Sequence, residues 1–219
     1  MIGNIFSNYK KKWENYRDNH KQKQALEKFS EQMPGFFNFF ALIIFSGIIA
    51  GFGISQGNEA VIIGAMLITP LIPPLVGIAL GVLTGNFGIF WDSFWRSIFG
   101  VLALFLIAFT IGHFFDFKIN DSFLIRAELV SVPDIFIAVS AGIVAALSFV
   151  SHKIHSHVSG AAISISITPP LVVSGIGLAK NDFFIFENAL RISAINIIGI
   201  VGMAFIIFAI FGFRKPEPT

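Results

Sequence analysis

Six stretches of this chain carry no Asp, Glu, Lys or Arg: 32–58, 60–91, 97–115, 135–152, 154–179 and 192–213, each of them at least 18 residues long. A helix needs about 20 mostly apolar residues to cross the hydrocarbon of a bilayer. The chain therefore reads as an all-α polytopic membrane protein with six transmembrane helices, near 36–54, 58–84, 89–112, 133–150, 158–179 and 187–211. Strands of a membrane barrel would alternate apolar and polar residues over about ten positions, whereas these stretches are apolar on every side. Composition agrees, with 55% hydrophobic and only 13% charged residues, about half the charge of an average soluble domain. With no cysteine, disulfides, thiol chemistry and thiolate metal sites are excluded.

The net charge of +2 is a topology signal here, not a nucleic-acid footprint. Placing the N-terminus inside puts Lys10, Lys11, Lys12, Arg17, Lys21, Lys23, Lys28, Arg96, Lys153, Arg214 and Lys215 on the inner side, eleven in all. Lys118, Arg126, Lys180 and Arg191 are the four that remain outside. The inner surplus predicts cytoplasmic termini, and the expected location is a bacterial inner membrane. The first 33 residues are polar, and no cleavage site follows the first apolar run, so no removable signal peptide is expected. In 1–33, Phe6, Tyr9, Trp13 and Tyr16 recur at helical spacing beside seven basic residues. That segment is either an amphipathic helix lying on anionic lipid or a solvated helix preceding the bundle.

The chain repeats itself. A shift of 96 positions places Gly64, Ala65, Pro73, Pro74, Leu75, Val76 and Gly81 on Gly160, Ala161, Pro169, Pro170, Leu171, Val172 and Gly177, without a gap. Phe87, Ile89 and Phe90 then fall on Phe183, Ile185 and Phe186. Repeat 1 covers 34–113 and repeat 2 covers 133–212, joined by an extracytoplasmic loop at 114–132 and followed by a tail at 213–219. Each repeat holds three spans, an odd number, so the second must enter the membrane from the opposite side. Such inverted repeats are common in transporters.

Prolines interrupt the second and fifth spans at matching places, Pro70, Pro73 and Pro74 in one and Pro169 and Pro170 in the other. Proline lacks the N–H of an interior helical residue and clashes with the preceding turn, yet suits the first position of a new helix. Both spans are expected to break there and restart as half-helices. Non-helical backbone at membrane depth persists only where protein buries it or water reaches it. The breaks are therefore either structural kinks or a permeation site, with Thr69, Ser164, Ser166 and Thr168 supplying polar groups. Half-helix N-termini suit an anion or dipolar solute. The series Gly77, Gly81, Gly85 and the pair Gly47, Gly51 have small-residue spacing that serves helix packing.

Other clusters are less specific. His152, His155 and His157 crowd the loop between the fourth and fifth spans, as weak metal-ligand candidates or a solvated polar loop, with Lys153 opposing a cation. Asp134 is placed to cap the fourth span. Asp92, Arg96 and Arg191 suit interfacial anchors or cross-helix pairs. No Walker loop, His-Glu-x-x-His or Gly-x-Ser-x-Gly occurs, so neither an enzyme nor a cofactor is expected.

The run Gly64-Ala65-Met66-Leu67-Ile68-Thr69-Pro70-Leu71, continued by Pro74, Gly77, Leu80 and Gly81, resembles the bacterial uncharacterised hydrophobic domain family, domain of unknown function three-eight-nine. The resemblance spans about residues 36–212 and implies a membrane location. In this chain Thr69 stands where the family pattern usually has a small residue such as Ala.

These observations predict a small transporter or channel with its path between the two broken helices, passing an inorganic anion or small polar solute. The spans are nearly free of acids, which argues against a carboxylate proton relay. A homo-oligomer is expected, because six spans rarely enclose a path with thick walls. The partners expected are the bilayer and anionic lipid at the N-terminal helix, with no nucleic acid. The alternative is a membrane sensor or assembly scaffold.

Overall fold

The structure, a computed structural model, describes residues 20–115, 131–150 and 156–215, apart from the side chains of 156–165. The described residues form helices and no strand. Helix α1 occupies 20–32. It is followed by α2 (Phe36–Ser55), α3 (Glu59–Ile68), α4 (Ile72–Thr84), α5 (Phe87–Phe114), α6 (Val132–Val150), α7 (Ser156–Ala179) and α8 (Phe183–Ile210). The aromatic stripe of Phe6, Tyr9, Trp13 and Tyr16, most of the 114–132 loop, and His152 and His155 lie outside the described residues, as do the side chains of His157 and Ser164.

Helices α2, α5, α6 and α8 are each long and apolar enough to cross a bilayer, and α3 with α4 does so as a pair bent by 41°. The part of α7 with described side chains, Ser166–Ala179, is a shorter apolar helix. Large apolar side chains point outward around the bundle, among them Phe37 at 81% exposed and Phe136, Ile198 and Ile210 at about 70%. Soluble proteins rarely expose apolar patches on this scale. The molecule is a helical, multi-pass membrane protein.

The 96-residue correspondence carries into local geometry. Asn86 caps α5 by accepting from Ile89 N at 3.1 Å, and Asp182 caps α8 by accepting from Ile185 N at 3.0 Å. The residue before each cap, Gly85 and Asn181, has φ of 66° and 59°. Asn181 thus adopts a left-handed conformation that only a few residue types tolerate. A methyl group on Gly81 would lie 2.6 Å from Phe90 N, and one on Gly177 3.0 Å from Phe186 N. Packing is paired in the same way: α2 on α5 and α6 on α8 within each half, and α5 on α7 and α8 on α4 between halves, with α3 against α7.

Two ends can be told apart. At one, Lys180 Nζ donates to Phe115 O at 3.0 Å and the Phe52 and Phe115 rings meet at 5.0 Å. At the other, Arg96 Nη1 donates to Pro34 O at 2.7 Å, and α1 packs across the bundle. There Gln22 bonds the backbone of Arg214 in both directions, at 3.0 and 3.1 Å, and Lys28 Nζ donates to Ser148 O at 3.0 Å. Burial at this contact lowers the pKa of the Lys28 ammonium below its ordinary value, while the Glu31 carboxylate acts in the opposite sense.

One expectation is corrected. The first half breaks where its prolines cluster, but α7 runs unbroken through Pro169 and Pro170. The difference lies one turn earlier. Thr69 precedes Pro70 and takes an extended ψ of 115°, as a residue before proline favours, whereas Ser166 occupies the position of Pro70 in the second half. Pro73 and Pro74 then sit in the first turn of α4, where the missing N–H is not used. In α7 the carbonyl that Pro170 cannot serve, Ser166 O, accepts from Asn196 Nδ2 of α8. The position matching Asn196 in the first half is Gly100, which has no side chain to donate.

Pro70→Ser is accordingly expected to extend helix across 69–71. Amide exchange at Leu71 and Ile72 should slow about tenfold, equivalent to about 1.4 kcal/mol, while Pro73→Ala leaves it unchanged. Slowing in Pro73→Ala alone would place the break at the wrong proline.

Candidate functional site

Two helix starts form the rim of a cavity in the bundle. Asn58 caps α3 by accepting from Val61 N at 3.3 Å, which makes Glu59 the first helical residue. Ser131 precedes α6, and Asp134 reaches back to accept from Ser131 N at 2.7 Å and from Ser131 Oγ at 2.6 Å. Asp134 therefore does cap α6: its carboxylate supplies the reach-back half of a capping box, while Asp134 N bonds Ser131 O at 3.1 Å. Both carboxylates lie at helix N-termini, whose dipoles favour negative charge.

Behind this rim is a cavity of about 350 Å³ between α3, α6, α7 and α8. Its walls are Ile62, Ile63 and Met66 of α3, Ile137 of α6, Pro169, Pro170 and Val173 of α7, and Ala189 and Ile192 of α8. Ser166 and Asn196 add polar groups one to two turns deeper than Val173. From Val173 to Ser166 along α7 is about 10 Å at 1.5 Å per residue. Among the described residues the lining includes Glu59 and Asp134 but no Lys, Arg or His.

Asn196 is the pivotal deep residue. It is 3% exposed. Its amide orientation is fixed chemically, because only the –NH2 can bond a carbonyl, here Ser166 O. Its Oδ1 is buried with no partner among the described residues. Unmet acceptors of this kind cost about 1–3 kcal/mol, and this one belongs to a residue that lines the cavity.

The structure divides the residues singled out by sequence. Ser166, Pro169 and Pro170 line the cavity together. Thr69, Pro70, Pro73 and Pro74 belong to the α3–α4 bend and are not in that lining. Thr69 Oγ1 instead donates to Ala65 O at 2.9 Å, back into its own helix. Thr168 is fully buried, and its hydroxyl has no partner among the described residues. Among those residues no group of three His, Cys, Asp or Glu could hold a metal ion. Arg96 pairs with Asp92 at 2.8 Å and Arg191 with Glu187 at 3.0 Å, each one turn along its own helix. Glu59 and Asn196 were not anticipated. Asn196 could have been, as a lone amide in an otherwise apolar span, since polar residues at that depth tend to be functional.

Comparison with known proteins supports the membrane class without adding an activity. The chain is 29% identical over 175 residues to an uncharacterized protein of Methanocaldococcus jannaschii, an alignment covering 78% of this chain and 53% of that protein. The chain thus spans about half the length of the curated relative it matches. No solved structure matches it. The family model described as "Domain of unknown function (DUF389)" matches residues 66–202, well over half of the sequence, and the chain belongs to that family.

Proposed function

We propose that this protein is a transporter or channel for a small, hydrogen-bond-donating solute, neutral or cationic, which enters through the cavity behind Glu59 and Asp134. In this reading α2 to α8 make six spans arranged as two inverted three-helix repeats, in a bacterial inner membrane with both termini cytoplasmic. The cavity then opens on the outer side, and copies of the chain assemble as a homo-oligomer. The reading is supported by the matching caps and pairings of the two halves and by a polar floor within an apolar bundle. The observation that carries it is the buried Oδ1, unpartnered among the described residues, of Asn196, a residue of the cavity lining.

An inorganic anion suits this cavity less well than the paired helix breaks suggested. Its rim carries two carboxylates, its lining carries no basic group among the described residues, and only one of the two proline-bearing spans is broken. Ammonium-type cations and small amides such as urea offer donors to both the rim and the floor.

Flux into proteoliposomes tests this directly, with methylammonium, urea, glycerol, chloride and sulfate as the panel. Methylammonium or urea is expected to cross faster than in empty liposomes, with the anions excluded. Combined Glu59→Gln and Asp134→Asn should lower the cation rate and leave urea less affected. Background rates for the whole panel would instead favour a non-transporting sensor or scaffold.

A further inference from the structure

The cavity has a counterpart at the other end of the bundle, and the chain's own helix α1 fills it. Moving back 96 positions takes Val173 to Gly77 and Ala189 to Ser93. Val173 and Ala189 face open space in the cavity. At Gly77 the space is instead taken by Ser93 and by the ring of Phe29, which projects from α1. A methyl group on Gly77 would collide with Ser93 Oγ and Phe29 Cε2 and lie 2.9 Å from Phe29 Cζ. Phe29 is 6% exposed although α1 lies outside both repeats.

The enclosed surface keeps a sign of polarity. Ser93 Oγ is buried with no partner among the described residues, under an aromatic ring that cannot replace the water it would otherwise bind. Such a group is costly in a permanent core. It fits a vestibule that is wet when α1 is away. The hold of α1 on the bundle is of a releasable kind: the Gln22–Arg214 backbone pair, the Lys28–Ser148 bond, and Lys21 Nζ set 4.4 Å from the Phe211 ring centroid. Each is a side-chain contact, and beside the buried Ala25 and Phe29 the half-buried Leu26 and Met33 pack against the core.

We propose that α1 is a plug, and that Phe29 seals a second vestibule at the site the repeat relates to the open cavity. This rests on reading that cavity as one end of a solute path. The described arrangement is then open at the Glu59 and Asp134 end and shut at the Phe29 end. Release of α1 uncovers Gly77 and Ser93 and opens the path to the second compartment, so the N-terminal segment regulates passage without lining the cavity.

The test uses the full-length chain in nanodiscs. Because the protein has no cysteine, Ser93→Cys provides a single thiol, probed with a charged methanethiosulfonate. Its labelling is expected to be slow with Phe29 in place, at least tenfold faster with Phe29→Ala added, and slow again with Phe29→Leu. Gln22→Ala with Lys28→Ala, which loosens α1 and leaves the ring intact, should also speed labelling, and it decides the matter should Phe29→Ala impair folding. Equal labelling rates in these variants and the Ser93→Cys parent overturn the plug. Faster labelling with flux still at background for every solute upholds the plug and rejects the transport reading.

Discussion

Replacing Asn196 with leucine is expected to separate two roles held by one side chain. The substitution roughly keeps volume but removes the amide that Ser166 O receives from α8. Pro170 has no N–H to offer that carbonyl, so α7 loses the bond that accompanies its unbroken course through two prolines. A hydrogen bond of this kind contributes about 1 kcal/mol, or about 2–4 °C in Tm for a chain of this size. The larger effect falls on the solute. A charged donor that loses its acceptor gives up about 1.5–3 kcal/mol, which is roughly ten- to a hundredfold in apparent affinity. Asn196→Asp keeps an acceptor and loses the donor, so it should lower Tm while retaining affinity for a cation. Thermal unfolding alongside the concentration dependence of flux measures both. A fall in Tm with unchanged affinity in Asn196→Leu would make Asn196 a brace for α7 and nothing more.

The helices were legible because their limits are set by single residues. Glu59, Asp92, Asp134 and Lys180 interrupt the apolar stretches, and the helices begin or end within a few positions of the expected bounds. The repeat was legible for a similar reason, since Pro-Pro, glycine and Phe-x-Ile-Phe are rare enough to align without a structure. What misled was treating both Pro-Pro pairs alike. Two prolines in the first turn of a helix cost little, so the state of the preceding turn decides, and that depends on Pro70 against Ser166. Whether the second pair could remain helical depended in turn on Asn196, 30 residues away. Local proline rules contain no such partner.

The site was legible in part. Ser166, Pro169 and Pro170 were found because irregular backbone chemistry is visible in sequence. Glu59 looked only like the end of an apolar stretch, and the acceptor of Asn196 became apparent once α8 was seen against α7. The role of Phe29 had no local signal at all. Its ring lies against Gly77 and near Ser93, 48 and 64 positions away, and a glycine at helix-packing spacing gives no hint of what it packs against.

The central claim is that solute passes through the space between the carboxylate rim and Asn196, and Val173 lies between them. Val173→Cys gives the chain one thiol in that space, with little change in side-chain volume. Modification by trimethylammonium-ethyl methanethiosulfonate then adds a bulky fixed cation to a cavity of about 350 Å³. Flux of methylammonium or urea through the modified protein is expected to fall by at least about tenfold, a barrier of roughly 1.4 kcal/mol, and to return when the adduct is reduced. The same reagent on Ile198→Cys, 69% exposed on the outer face of α8, should leave flux unchanged. Complete modification at 173 with undiminished flux would contradict the account.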